Sequence, residues 1–145
     1  MSIRLNRKKL LCISFFLCCV LPACFSWFSV DDTQWRGLSL MEVPLLISTS
    51  LFAFALLFER IRYMLPIGIL SHILLTISIT ATLVNFPVIV GISTERSISL
   101  SLDATCPMFW VGTVLHLFHL ALFTTTEIAM QNLSRQTSAP PKHLR

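Results

Sequence analysis

The chain has 145 residues, 54 % of them hydrophobic and only 12 % charged, about half the charged share of soluble domains, with a mean hydropathy of +0.77. So few charges could hardly cover the core of a compact soluble fold, so the composition points to a membrane protein. The net charge of +4 gathers at the two ends, and no basic patch is interleaved with aromatics, which argues against a nucleic-acid partner.

A spanning helix needs ~20 apolar residues, and four segments approach that length. After a basic tail at 1–9 (Arg4, Arg7, Lys8, Lys9), residues 10–30 form an uncharged run expected to be the first transmembrane helix. Pro22 lies inside it and predicts a kink. Cys12, Cys18, Cys19 and Cys24 all fall in this run. Their spacing lacks the paired hooks of a zinc site, so they read as small apolar residues. Cys12, nearest the basic end, is a candidate for palmitoylation. The same N-terminus also resembles a signal peptide, but about twenty apolar residues are long for a leader and right for a retained span.

An outer loop at 31–42 carries Trp35 beside Trp27, suited to anchoring at a membrane interface. Residues 43–58 form a short second helix, 59–64 a cytoplasmic turn, and 65–88 a third helix. A second outer loop covers 89–107. In it Ile98, Leu100 and Leu102 alternate with serines, as in a short strand or an amphipathic rim segment. Residues 108–129 form the fourth helix, and the polar, proline-bearing tail 130–145 is expected to be disordered. Basic residues are frequent before the first span, in the turn (Arg60, Arg62) and in the tail (Arg135, Lys142, Arg145), but single in each outer loop (Arg36, Arg96). That alternation places both termini in the cytoplasm. The expected fold is an all-α, multi-pass, four-helix transmembrane bundle. The sequence does not distinguish plasma membrane from endoplasmic reticulum.

The fourth segment carries the chemistry. At 100° per residue Thr113, His116, His119, Thr124 and Glu127 share one broad face. His72 recurs with Thr76 and Thr80 on the third helix, at a depth where its ring can meet His119. Polar groups at such depth face protein or water, not lipid. They serve as interhelical contacts or, in the alternative, as a proton or metal path. No nucleophile–base pair, phosphate loop or cofactor fingerprint is present, so neither catalysis nor a cofactor is expected. The function expected is that of a non-enzymatic accessory protein, its partners being the lipid bilayer and another membrane protein or a second copy. The alternative is a small oligomeric channel or proton/metal carrier using His72, His116, His119 and Glu127. In the tail, Arg135 and Pro140 flank Ser138 as in sites that phosphoserine-reading proteins bind, making Ser138 a candidate for phosphorylation.

Trp27 at the outer end of the first span and the Gly37-Leu38 pair in loop one resemble the claudin-like tetraspan group, which includes claudins, peripheral myelin protein relatives and calcium-channel gamma subunits. Ser39 stands where claudins carry tryptophan, and their two loop-one cysteines are absent. The resemblance implies four spans, cytoplasmic termini and an adhesive or accessory role.

Overall fold

The computed structural model describes residues 2–57 and 61–137. The protein is mostly helical. In chain order the elements are α1 (Ser2–Phe15), a π turn (Phe16–Val20), a 3-10 turn (Leu21–Cys24), β1 (Ser26–Val30), β2 (Thr33–Arg36), α2 (Gly37–Leu40), α3 (Glu42–Leu57), α4 (Ile61–Ile89), α5 (Ile98–Asp103) and α6 (Pro107–Thr137).

Pro22 explains the change of helix type. It has no N–H to offer the carbonyl of Cys18, and its ring crowds that carbonyl. The preceding turn widens, so that the Leu21 N–H reaches back to the Phe16 oxygen, and the chain then tightens into the 3-10 turn. The first helical segment therefore ends at Cys24 and does not continue to Val30. Residues 26–30 instead form a strand, for which β-branched and aromatic residues are suited. This strand pairs antiparallel with β2 across Asp31 and Asp32, and Asp31 takes the left-handed conformation at φ 51 that such a two-residue turn asks for.

The hairpin is tied to the second loop. The Ser29 N–H donates to the Ala104 carbonyl at 2.8 Å, and the Cys106 N–H donates to the Trp27 carbonyl at 2.8 Å. A register shift between Ser26 and Phe28 lets the neighbours Trp27 and Phe28 both be buried, which a regular strand would forbid because successive side chains point to opposite faces. Trp27 is thus a core residue, not an interfacial anchor. Its indole N–H donates to the Pro22 carbonyl at 2.9 Å, and its ring lies edge-on to Phe109. Trp110 is the exposed one.

Helix ends differ from expectation for local reasons. α4 starts at Ile61, which puts Pro66 inside it. It closes in a Schellman motif, with Ile92 N–H donating to the Pro87 carbonyl, Gly91 N–H to that of Val88, and Gly91 at φ +75. Of the two expectations for the alternating segment, the strand is not formed: residues 98–103 are the short helix α5, whose start is capped where the Ser97 hydroxyl accepts the Leu100 N–H. α6 continues past Ala129 to Thr137, so the first part of the expected disordered tail is helical. No glycine or proline interrupts it there.

α3 and α4 pack as an antiparallel pair, fastened by two serines. Ser71 Oγ donates to the Ser48 carbonyl at 2.7 Å, and Ser48 Oγ to that of Ser71 at 3.2 Å. Two helical stretches, Tyr63–Ile89 and Pro107–Arg135, are long and apolar enough to cross a membrane; only 39 % and 28 % of their most apolar windows are buried. Glu42–Leu57 is a shorter apolar helix. The outward faces carry Leu46, Phe54, Ile77, Val114 and Phe118, all more than half exposed.

Gly37 sits against the Trp27 ring so closely that a Cβ there would lie 2.4 Å from it. Gly37→Ala should therefore force the indole to shift, lowering stability by about 1–3 kcal/mol. Thermal unfolding in detergent reads this, and an unchanged midpoint would show that the hairpin is not held by this contact.

Candidate functional site

The buried face of α6 is Phe109, Gly112, His116, His119, Phe123 and Glu127, a run spaced by threes and fours that turns one stripe of the helix inward. His72 lies on the facing surface of α4, fully buried like both α6 histidines. The third wall comes from the N-terminal segment, whose Leu11, Phe15 and Cys19 repeat every fourth residue and are all buried.

The three imidazoles meet among apolar rings. His72 Nε2 lies 2.8 Å from His119 Nδ1, and their rings are stacked at 6°. Phe15 and Phe52 present their edges to both rings at 5.4–5.6 Å, while Phe123 stacks over His72. The two phenylalanines stack on each other with centroids 4.2 Å apart. The cage shields the imidazoles from water, so each ring nitrogen depends on protein partners.

Those partners constrain the protons. His72 Nδ1 is 2.8 Å from the Gly68 carbonyl. A carbonyl only accepts, so Nδ1 carries the hydrogen, and the neutral ring keeps its lone pair at Nε2. Thr76 Oγ1 donates to the His72 carbonyl at 2.8 Å. The hydroxyl proton is then committed, and His116 Nε2, 2.9 Å away, donates to that oxygen. His116 Nδ1 keeps its lone pair and faces Cys19 Sγ at 3.6 Å. His119 Nε2 is 3.0 Å from Ser14 Oγ, and Ser14 Oγ in turn donates to the Leu11 carbonyl at 3.0 Å.

Below the histidines lies an ion pair. Arg7 Nη1 is 3.5 Å from Glu127 Oε1, and the Glu127 side chain is fully buried. The Arg7 Nη2 group also reaches Met64 Sδ at 3.8 Å. A buried carboxylate needs such a cation close by.

Of the residues singled out from sequence, His72, His116 and His119 meet in one cluster and Glu127 lies on the same buried stripe. Thr113 does not join them: its hydroxyl donates to the Phe109 carbonyl of its own helix at 2.8 Å, as Thr124 does to Leu120, so each is satisfied locally. Cys12 is exposed on α1. Ser138 lies outside the described residues. Ser14, Cys19 and Arg7 were not identified as partners of the fourth helix. The four-residue repeat of Leu11, Phe15 and Cys19 marks the inward face, but a segment apolar all round gives it little contrast.

Removing one imidazole strands the other's partners, at a cost of about 1–3 kcal/mol for each buried group left unpaired. His72→Leu and His119→Leu should each destabilise the protein, and the double variant should depart from their sum by a coupling of about 0.5–3 kcal/mol. Chemical unfolding in detergent measures the cycle, and strictly additive losses would mean that the two rings do not interact.

No family model matches the chain, and no curated protein or solved structure matches it.

Proposed function

We propose that the chain is a non-enzymatic, four-span membrane protein that acts as an accessory partner of another membrane protein. The observation that carries this reading is how its polar side chains divide. The buried serine, threonine and histidine side chains meet one another or backbone carbonyls within the chain, and buried Glu127 lies beside Arg7, while large apolar side chains dominate the helix exteriors, as a lipid-facing surface requires. On this reading segments 10–24, 43–57, 65–88 and 108–129 cross the bilayer. The shorter first and second segments would rely on local thinning or snorkelling ends.

Two contacts support this arrangement. Phe15 and Cys19 are built into the core, as expected of a retained first helix and not of a removed leader. The Arg7–Glu127 pair brings the start of the chain beside the end of α6, which supports both termini lying on one face, the cytoplasmic one by the distribution of basic residues.

Among the described residues, a groove on α3 and α4 brings small and polar side chains to the surface. About 440 Å³ in volume, it lies between α3 and the outer half of α4, with Ile77, Ala81 and Val88 beside Ser78, Thr82 and Asn85, and Arg96 at its rim. Small and hydroxylated residues are what membrane helices use for close approach. The groove would take a helix of the partner. The alternative carrier reading has His72, His116, His119 and Glu127 in its favour, but no histidine lines this groove, and the ring cage separates the cluster from solvent.

A C-terminal tag should be protease-accessible in sealed microsomes, together with an intact N-terminus; a tag protected from protease would refute the even number of crossings. A photo-crosslinking residue at Ile77 should capture one membrane partner and lose it when Ala81→Phe fills the groove. Equal capture from Leu117 on α6, or insensitivity to Ala81→Phe, would rule the groove out. His116→Leu combined with His119→Leu should leave ion flux in proteoliposomes unchanged from wild type; selective loss of flux with assembly intact would favour the carrier.

A further inference from the structure

We propose that Cys19, His72 and His119 form a buried site for a soft, monovalent metal cation, Cu(I). Their donor atoms come from three separate helical segments and all lie within 4.8 Å of one another. Nothing in the accessory reading requires such a site, and the proposal does not rest on that reading.

The proton arrangement argues for a cation. The Gly68 carbonyl fixes a hydrogen on His72 Nδ1. Ser14 Oγ donates to the Leu11 carbonyl and so accepts from His119, whose Nε2 carries the hydrogen. Both rings then point lone pairs at each other, from His72 Nε2 and His119 Nδ1, across 2.8 Å. Two facing lone pairs repel. The arrangement is relieved by a positive species between them or by turning the Ser14 hydroxyl away from Leu11. The outer contacts are also those of metal-bound histidine, whose second nitrogen commonly donates to a carbonyl or another oxygen.

Cys19 decides which cation. Thiolate and imidazole together suit Cu(I) and Zn(II) and disfavour Mg(II) or Ca(II), which take oxygen ligands. Binding releases the thiol proton. His116 Nδ1, 3.6 Å from the sulfur, is its first acceptor on the way to solvent. Exchange of one proton for Cu(I) leaves the charge of the apolar interior unchanged, whereas exchange for Zn(II) adds a positive charge there, which burial penalises. Nitrogen ligands on one ion stand about 3.4 Å apart, given metal–nitrogen bonds of about 2.0–2.1 Å. In a three-ligand site that spacing opens to about 3.5 Å, so the imidazoles need to separate by about 0.7 Å on binding, with the Cys19 sulfur closing in.

The test uses the full chain in detergent micelles, titrated anaerobically with Cu(I) against a chromophoric competitor, and separately with Zn(II). One Cu(I) per chain is expected, with X-ray absorption showing one sulfur and two nitrogen neighbours. A variant with Cys12, Cys18, Cys24 and Cys106 all replaced by serine should keep that site. Cys19→Ser and His119→Gln should each weaken it at least ~100-fold, the upper end of what loss of a mere outer contact does. Circular dichroism checks that each variant is folded; if Cys19→Ser is not, the four-serine variant and the absorption spectrum still decide. Absence of binding in the four-serine variant, undiminished binding in folded Cys19→Ser, an all-sulfur coordination shell, or Zn(II) bound more tightly than Cu(I) would each overturn the proposal.

Discussion

Everything at the centre of this protein depends on satisfying the imidazole nitrogens of His72 and His119 where no water reaches them. An imidazole always presents two polar nitrogens, and burial makes an unpaired one costly. The structure gives the outer nitrogens partners, Gly68 on the same helix as His72 and Ser14 on the N-terminal helix, and sets the inner nitrogens of His72 and His119 face to face across the interface at 2.8 Å. Because the partners are so distributed, the polar chain holds α1, α4 and α6 in one register. Apolar packing alone tolerates sliding far better.

The aromatic rings around that chain do a complementary task. Phe15, Phe52 and Phe123 surround the histidines from three helices. Large rings fill the volume that small polar groups leave, and keeping water out strengthens the hydrogen bonds they enclose. The close approach of α4 and α6 at this level requires Gly68, where a Cβ would meet the Phe123 ring at 2.2 Å. At the opposite end the same logic recurs with Trp27 against Gly37, and the stacked pair Phe28 and Phe86. The bundle is thus fastened at two levels by an aromatic set beside a glycine, one of them enclosing the polar chain.

The ion pair of Arg7 with Glu127 adds a second polar tie at the end where the chain starts. A buried carboxylate with a single nearby guanidinium is not by itself a source of stability, since desolvation offsets the attraction. Its consequence is positional. The basic N-terminal segment cannot leave α6 without stranding Glu127, so the first helix is coupled electrostatically as well as by packing.

By itself the sequence determined the existence of the apolar helices, their order and the polar stripe on the last of them, because each is written in local periodicity and composition. It also showed that Pro22 would disturb the first helix, a purely local consequence of a missing N–H. It did not reveal the hairpin at 26–36, since a short run such as SWFSV is apolar enough to be read as the end of a helix until its partner strand and the 104–106 segment are in place. Nor did it single out Cys19, Ser14 or Arg7, because which side of an all-apolar helix faces inward is decided by neighbours. Thr113 and Thr124 show the converse: they share a broad face with the histidines in sequence, yet each bonds its own helix. Only the tertiary structure brought Ser14 to His119 and Cys19 to His116, 105 and 97 positions apart, because contacts in a dry interior depend on distance and direction, which no local pattern encodes.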